Sequence, residues 1–171
     1  MEALREDKLL GQEFLTWLWH RIDTTGGNFT TRDNQEFGLA MMESVSVQGG
    51  EGDIIATATV KSPSGELTEA KSGLKTGKKV SRAQLKFSID QDDWVLTLKA
   101  DDLGLSGLKT PKVDLKEEEG DDPDGKFLEK MYLLEKCLEM LDIVYSEYVH
   151  LRLSPKWQDS AQAIRTWIEK Q

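Results

Sequence analysis

Apolar residues at helical spacing form the first pattern in the chain, and they predict a helix from Leu9 to Ile22. One face of this helix carries Leu10, Phe14, Trp17 and Leu18. The nearly opposite face carries Leu15, Trp19 and Ile22. A helix that is apolar on two sides must be covered on both, either by the rest of the chain or by a second domain or subunit. We expect a central core helix, and the alternative is an interface helix with Leu15, Trp19 and Ile22 as the candidate interface residues.

Two pairs of segments with alternating apolar and polar residues follow, and each pair predicts a β-hairpin. The first pair runs from Phe37 to Val47 and from Ile54 to Val60, with a glycine-rich turn between. Between the pairs, residues 66–74 predict a short helix closed by Thr76 and Gly77.

The second pair runs from Ala83 to Ile89 and from Trp94 to Ala100. A loop of residues 90–93 would pair Ile89 with Trp94, and in the same register Phe87 with Leu96 and Leu85 with Leu98. This register places the large apolar side chains on one face of the hairpin. The opposite face then carries Arg82, Lys86 and Lys99.

The alternation is lost after Leu103, and we expect an exposed linker that ends in the acidic residues 114–125. From Phe127 the chain is strongly helical, with two adjacent apolar rows. The first row is Phe127, Met131, Leu134, Leu138, Leu141, Tyr145 and Tyr148; the second is Leu133, Cys137, Met140 and Val144. So wide a stripe favours packing on a sheet over a coiled coil, and dimerisation through this helix is the alternative. A last helix is predicted to begin with Ser154 as N-cap and Pro155 in the first helical position.

These elements predict an α+β fold: an antiparallel sheet of two β-hairpins packed against helices, with a C-terminal helical pair. Residues 1–113 are expected to form the α+β domain and residues 114–125 an acidic linker. The C-terminal helices, residues 126–171, are expected to pack on the same core.

Composition restricts the compartment and the partners. The 171 residues include 22 basic and 31 acidic ones, for a net charge of −9. The apolar runs are far shorter than the roughly 20 residues of a membrane span, and the first residues do not form a secretory signal. The single cysteine, Cys137, favours a reducing compartment. We therefore expect a cytoplasmic protein without a membrane partner.

Basic residues are concentrated in one part of the chain. Six lie between Lys71 and Ser88 without an acidic residue among them, whereas residues 114–124 hold seven acids and one lysine. The six basic residues and Lys99 of the second hairpin are the candidate DNA-binding residues: Lys71, Lys75, Lys78, Lys79, Arg82, Lys86 and Lys99. Because the whole chain is acidic, contact with nucleic acid requires such a local basic surface.

Residues that could carry catalysis do not form a recognisable pattern. His20 and His150 lie on different predicted helices and have no ligand at zinc spacing. Cys137 lies among apolar residues at core-like spacing and is expected to be an inert thiol. Paired acids such as Asp92 and Asp93 lie in turns, so a metal-dependent nuclease is a weak alternative. No catalytic residue, metal, cofactor or small-molecule substrate is expected.

The segment from Glu69 to Phe87, with its Gly73-Leu74-Lys75-Thr76-Gly77-Lys78-Lys79 turn, resembles the recombination-associated RdgC family of bacterial nucleoid proteins. The second hairpin, the segment Phe14-Leu15-Thr16-Trp17 and the helix from Phe127 occur in the same order as in the carboxy-terminal half of that family. The resemblance covers about two thirds of the chain.

The resemblance implies a non-catalytic nucleoid protein that binds duplex DNA without sequence preference, forms a ring-shaped dimer and restrains the strand-exchange recombinase. Because only one half of the family is represented, a second copy or a missing amino-terminal domain is expected as partner. The alternative is an interaction or dimerisation module that does not contact nucleic acid.

Overall fold

The computed structural model describes residues 3–49, 67–112 and 123–171. Its helices are α1 (Ala3–Thr25), α2 (Thr68–Lys75), α3 (Pro123–Arg152) and α4 (Trp157–Glu169). Its strands are β1 (Asn28–Thr30), β2 (Glu36–Gln48), β3 (Lys79–Ile89), β4 (Asp92–Lys99) and β5 (Leu105–Lys109). Within the described residues, these strands form one antiparallel sheet in chain order. The predicted α+β class, with its helix-packed sheet and C-terminal helical pair, is confirmed.

Several predicted boundaries are wrong. The first helix is longer than predicted, and α3 begins at Pro123, inside the predicted linker. The last helix begins at Trp157, because Ser154 forms a turn: its carbonyl accepts the Trp157 amide at 3.1 Å. The Ser154 hydroxyl donates back to the Leu151 carbonyl at 2.8 Å and does not cap α4. The predicted strand from Ile54 to Val60 and residues 114–122 of the predicted linker lie outside the described residues.

The turn of the second hairpin contains two residues and not four. Ile89 pairs with Asp92, Phe87 with Trp94 and Leu85 with Leu96. Asp90 has a φ of 50°, which a tight two-residue hairpin turn requires at its first central position and which aspartate tolerates. The predicted register is therefore wrong by two residues. A shift of two preserves the side-chain alternation, so the predicted apolar face is still buried.

Two edge strands were not predicted. Strand β5 lies in the region predicted as a linker and pairs with β4, and β1 is only three residues long. Both are too short to show a clear alternation, and Leu105 of β5 is 38% exposed. Pairing with a neighbouring strand, and not local pattern, holds them in the sheet.

Helix α1 is the centre of the core and packs against the sheet, α3 and α4. Leu15 and Trp19 are 0% and 1% exposed, and the Trp19 ring contacts the Trp167 ring of α4 at 5.9 Å between centroids. Ile22 packs against the same core. The prediction of a core helix is confirmed and the alternative of an interface at these three residues is wrong, because the chain covers both faces of α1 itself.

Gly11 allows α1 to approach the sheet closely. A Cβ atom at this position would lie 1.9 Å from the carbonyl oxygen of Ala100, at the end of β4. No side chain can occupy that space without displacing backbone.

None of the four helices, over the described residues, combines the length and apolar character that crossing a bilayer requires.

Candidate nucleic-acid interface

The polar face of the sheet carries a group of cations on three neighbouring strands. Along β3 the core side chains alternate with outward-facing ones, and Arg82 and Lys86 are among the latter. Lys99 of β4 lies directly opposite Arg82. Val95 lies between Lys86 on β3 and Lys109 on β5. We call the surface formed by Arg82, Lys86, Lys99 and Lys109 the outer sheet face.

The pairing of Arg82 with Lys99 is unfavourable for the fold by itself. Both side chains are exposed, and neither forms an ion pair with another described residue. Like charges directly opposite each other on adjacent antiparallel strands repel and destabilise the pair. An anion placed over both side chains would relieve this repulsion.

Lys86 is partly neutralised by an acid on the same face. Its ammonium lies 2.8 Å from Oδ2 of Asp93, and the other oxygen of this carboxylate, Oδ1, accepts a hydrogen bond from the Ser88 hydroxyl at 2.6 Å. The hydrogen bonds from Lys86 and Ser88 lower the pKa of the Asp93 carboxyl below its usual value. Asp93 is therefore ionised at neutral pH and competes with any external anion for Lys86.

The predicted basic residues do not form one surface. Lys71 lies on α2, 2.7 Å from Asp23, with its ammonium 5.8 Å from the ring centres of both Trp19 and Trp167. These contacts tie α2 to α1 and α4, so Lys71 has a structural role and is removed from the candidate DNA-binding set.

The other three lie near the turn between α2 and β3. Lys75 is exposed in the last turn of α2. Lys78 and Lys79 line a cleft of about 420 Å³ between this turn and α4, together with Arg165. Lys75, Lys78 and Lys79 therefore lie at the α2 end of the sheet, whereas Arg82, Lys86 and Lys99 lie further along its outward face. Sequence reasoning missed Arg165 and Lys109, because neither lies in the basic segment and Lys109 lies in the predicted linker.

Of the remaining reactive side chains, those of Cys137 and His20 pack in the core and that of His150 is exposed. Burial raises the pKa of the Cys137 thiol to about 11, so it is protonated at neutral pH. His20 is half-buried, its pKa is lowered by burial, and its ring contacts Trp167 at 5.6 Å. His150 lies on α3, where its Nδ1 is 2.7 Å from the Ser146 carbonyl oxygen. Within the described residues, no group of three or more histidine, cysteine, aspartate and glutamate side chains could hold a metal ion.

A partly buried hydrogen-bonded group joins α1 to the end of α3. The Tyr148 hydroxyl and the Arg152 Nε atom each donate to Glu13 Oε1 at 2.6 Å. Burial, and then the bond to Glu13, raise the pKa of Tyr148 well above its usual value. Tyr148 therefore stays protonated at neutral pH and serves as a hydrogen-bond donor that fixes the two helices.

Comparison of the chain with protein-family models, with curated proteins and with solved structures finds no match in any of the three. The function of the chain must therefore be inferred from its own residues. Among those described, the outer sheet face combines exposed cations with an unfavourable like-charge pair.

Proposed function

We propose that this chain is a non-catalytic domain that binds duplex DNA without sequence preference through the outer sheet face. The observation that carries the proposal is the exposed cross-strand pair of Arg82 and Lys99. Their Cα atoms are about 5 Å apart, as in any antiparallel pair. A phosphate between the two side chains would replace their repulsion by two charge-assisted hydrogen bonds.

The shape of the outer sheet face supports contact with the DNA backbone. Arg82 and Lys86 are four residues apart on β3, which separates them by about 14 Å along the strand. Lys99 and Lys109 add cations on the two neighbouring strands. The cations rise from a sheet surface and not from a helix that could enter the major groove. Such an arrangement contacts phosphates and does not distinguish base pairs.

The acidic balance of the chain sets the expected strength of binding. With a net charge of −9, the rest of the surface repels DNA, so attraction depends on the few cations of the outer sheet face. Binding of this kind weakens steeply as salt is added, because each phosphate contact releases counterions. The same chemistry agrees with what the resemblance to the RdgC family implies, and we include membership of that family in the proposal.

Fluorescence anisotropy with two labelled duplexes of unrelated sequence tests the proposal. We expect both duplexes to bind equally at low salt and to be released at moderate salt. Lys99→Glu should weaken binding about tenfold, equivalent to about 1.4 kcal/mol. Lys156→Glu makes the same charge change at an exposed residue just before α4, away from the sheet, and should have little effect on binding.

Equal losses in the two variants would contradict a specific role for the outer sheet face. The absence of binding at low salt would contradict DNA binding altogether. Added Mg²⁺ or Mn²⁺ should leave the duplexes intact, whereas cleavage would favour the nuclease alternative.

Asp93→Asn should strengthen DNA binding. The substitution removes the carboxylate that lies 2.8 Å from Lys86 and so releases this cation for a phosphate. We expect affinity to rise a few-fold and the salt dependence to increase by about one phosphate contact. Asp142→Asn is the control. It removes a carboxylate of α3 that is paired with Arg32, and it should leave the affinity unchanged. A decrease for Asp93→Asn would show that Asp93 positions Lys86 and does not compete for it.

A further inference from the structure

The two apolar rows of α3 differ sharply in burial. Leu133, Cys137, Met140 and Val144 are all buried in the core. The other row is largely exposed in its first half: Phe127 is 63%, Met131 38% and Leu138 46% exposed, and Leu134 between them is half-buried. Leu128 and Tyr132 beside it are exposed as well. An apolar surface of this kind on a globular domain indicates an interaction site.

The exposed row cannot turn inward by rotation of the helix. The indole N–H of Trp94 donates to the Leu133 carbonyl at 2.9 Å in a buried position. This bond and the packing of the buried row fix the rotation of α3 about its axis. The row therefore stays exposed on the part of the chain that the structure describes.

The spacing of the exposed row is that of a helix that pairs with an identical helix in a coiled coil. Phe127, Met131, Leu134 and Leu138 are separated by four, three and four residues, the d and a positions of two heptads. Beyond Leu138 the row enters the core of the chain, where Tyr145 contacts the ring of Phe14 at 5.0 Å. The available seam is thus restricted to residues 127–138.

The charges beside the seam are self-complementary for parallel helices. In this heptad assignment Lys130 takes position g and Glu135 takes position e of the following heptad. In a parallel pair, position g of one helix faces that e position of the other. Lys130 of each helix would then face Glu135 of the other, twice across a two-fold axis.

We propose that a second copy of this chain covers the exposed row, through parallel pairing of the first half of α3. The surface is apolar and carries both signs of charge, which suits a protein helix and not DNA. The outer sheet face lies on the opposite side of the sheet from the core that packs against the helices, so pairing would leave it open. The proposal does not depend on DNA binding.

Sedimentation equilibrium of the full chain tests this pairing. We expect a concentration-dependent dimer in the wild type and a monomer for Met131→Glu. Leu153→Glu is the matched control: Leu153 is 80% exposed and lies outside the seam, so this variant should remain dimeric. Met131 and Leu153 are both exposed in the single chain, so neither substitution should change the circular dichroism spectrum. A monomeric wild type, or a dimer that persists in Met131→Glu, would overturn the proposal.

A charge exchange tests the parallel orientation. Lys130→Glu should weaken the dimer about tenfold, because it places like charges opposite each other across the seam. Adding Glu135→Lys to the same chain should restore the wild-type affinity. Failure of the double variant to recover would overturn parallel pairing. Dimerisation and DNA binding can be tested independently, because the monomeric Met131→Glu variant should still bind DNA.

Discussion

A chain carrying both Arg82→Glu and Lys99→Glu is expected to lose measurable binding to duplex DNA at moderate salt. Both residues are exposed and lie opposite each other on β3 and β4. The two reversals replace the centre of the outer sheet face by carboxylates that repel phosphate. If each costs about tenfold, the pair reduces affinity at least about a hundredfold, or about 2.7 kcal/mol. Anisotropy titration against the wild type measures the loss.

The single variant Arg82→Glu separates binding from folding. It places opposite charges across the two strands, where the wild type has like charges, and should stabilise the fold by up to about 1 kcal/mol. The same variant should bind DNA more weakly. Urea denaturation measures the stability and anisotropy measures the binding. Lower stability together with weaker binding would mean that the substitution acts through the fold and would remove its support for a contact.

Trp94→Ala is expected to destabilise the chain by about 4 kcal/mol, the largest effect on folding that we predict. Trp94 is 2% exposed, and its indole N–H is the donor to the Leu133 carbonyl that fixes α3 on the sheet. Alanine removes a large buried ring, leaves a cavity and removes the hydrogen bond between the sheet and the Leu133 carbonyl. Free energies of unfolding from urea titration measure the cost.

Trp94→Phe is the matched control, because phenylalanine retains most of the apolar volume and loses the hydrogen bond. We expect it to cost about 1 kcal/mol, the net contribution of one hydrogen bond, because the Leu133 carbonyl lies inside α3 and keeps its helical donor. A small loss in both variants would contradict the role of Trp94 as the anchor of α3. In Trp94→Ala the anchor is lost, so the dimer should weaken as well.

Long periodic elements could be predicted from the sequence, and short ones could not. The helices α1 and α3 and the strands β3 and β4 follow apolar patterns that continue over many residues. The apolar face of β3 and β4 was predicted even though the register was wrong, because a shift of two residues leaves the alternation unchanged. The edge strands β1 and β5 depend on pairing with a neighbour, which a local pattern does not show.

The burial of the helix faces required the tertiary structure. Both faces of α1 are apolar, and sequence alone left open whether the chain or a partner covers them. The structure places Leu15 and Trp19 in the core, whereas Phe127 and Met131 of α3 are exposed. Apolar spacing identifies a face that must be covered, but it does not say which of two such faces the chain covers itself.

The candidate site could be predicted only in part. Arg82, Lys86 and Lys99 share one face because strand alternation determines side-chain direction. Lys71 was grouped with them by its position in the sequence, but the fold pairs it with Asp23. A charge run in the sequence does not show which cations have an acidic partner, since that depends on residues far away in the chain.

A two-dimensional NMR titration of the chain with a short duplex at low salt shows directly where on the chain DNA binds. We expect amide shifts to change mainly on the outward-facing residues of β3 and β4, around Arg82 and Lys99, and added salt to reverse the changes. Shift changes confined to the helical layer, or no change at low salt, would contradict the outer sheet face as the site of DNA binding.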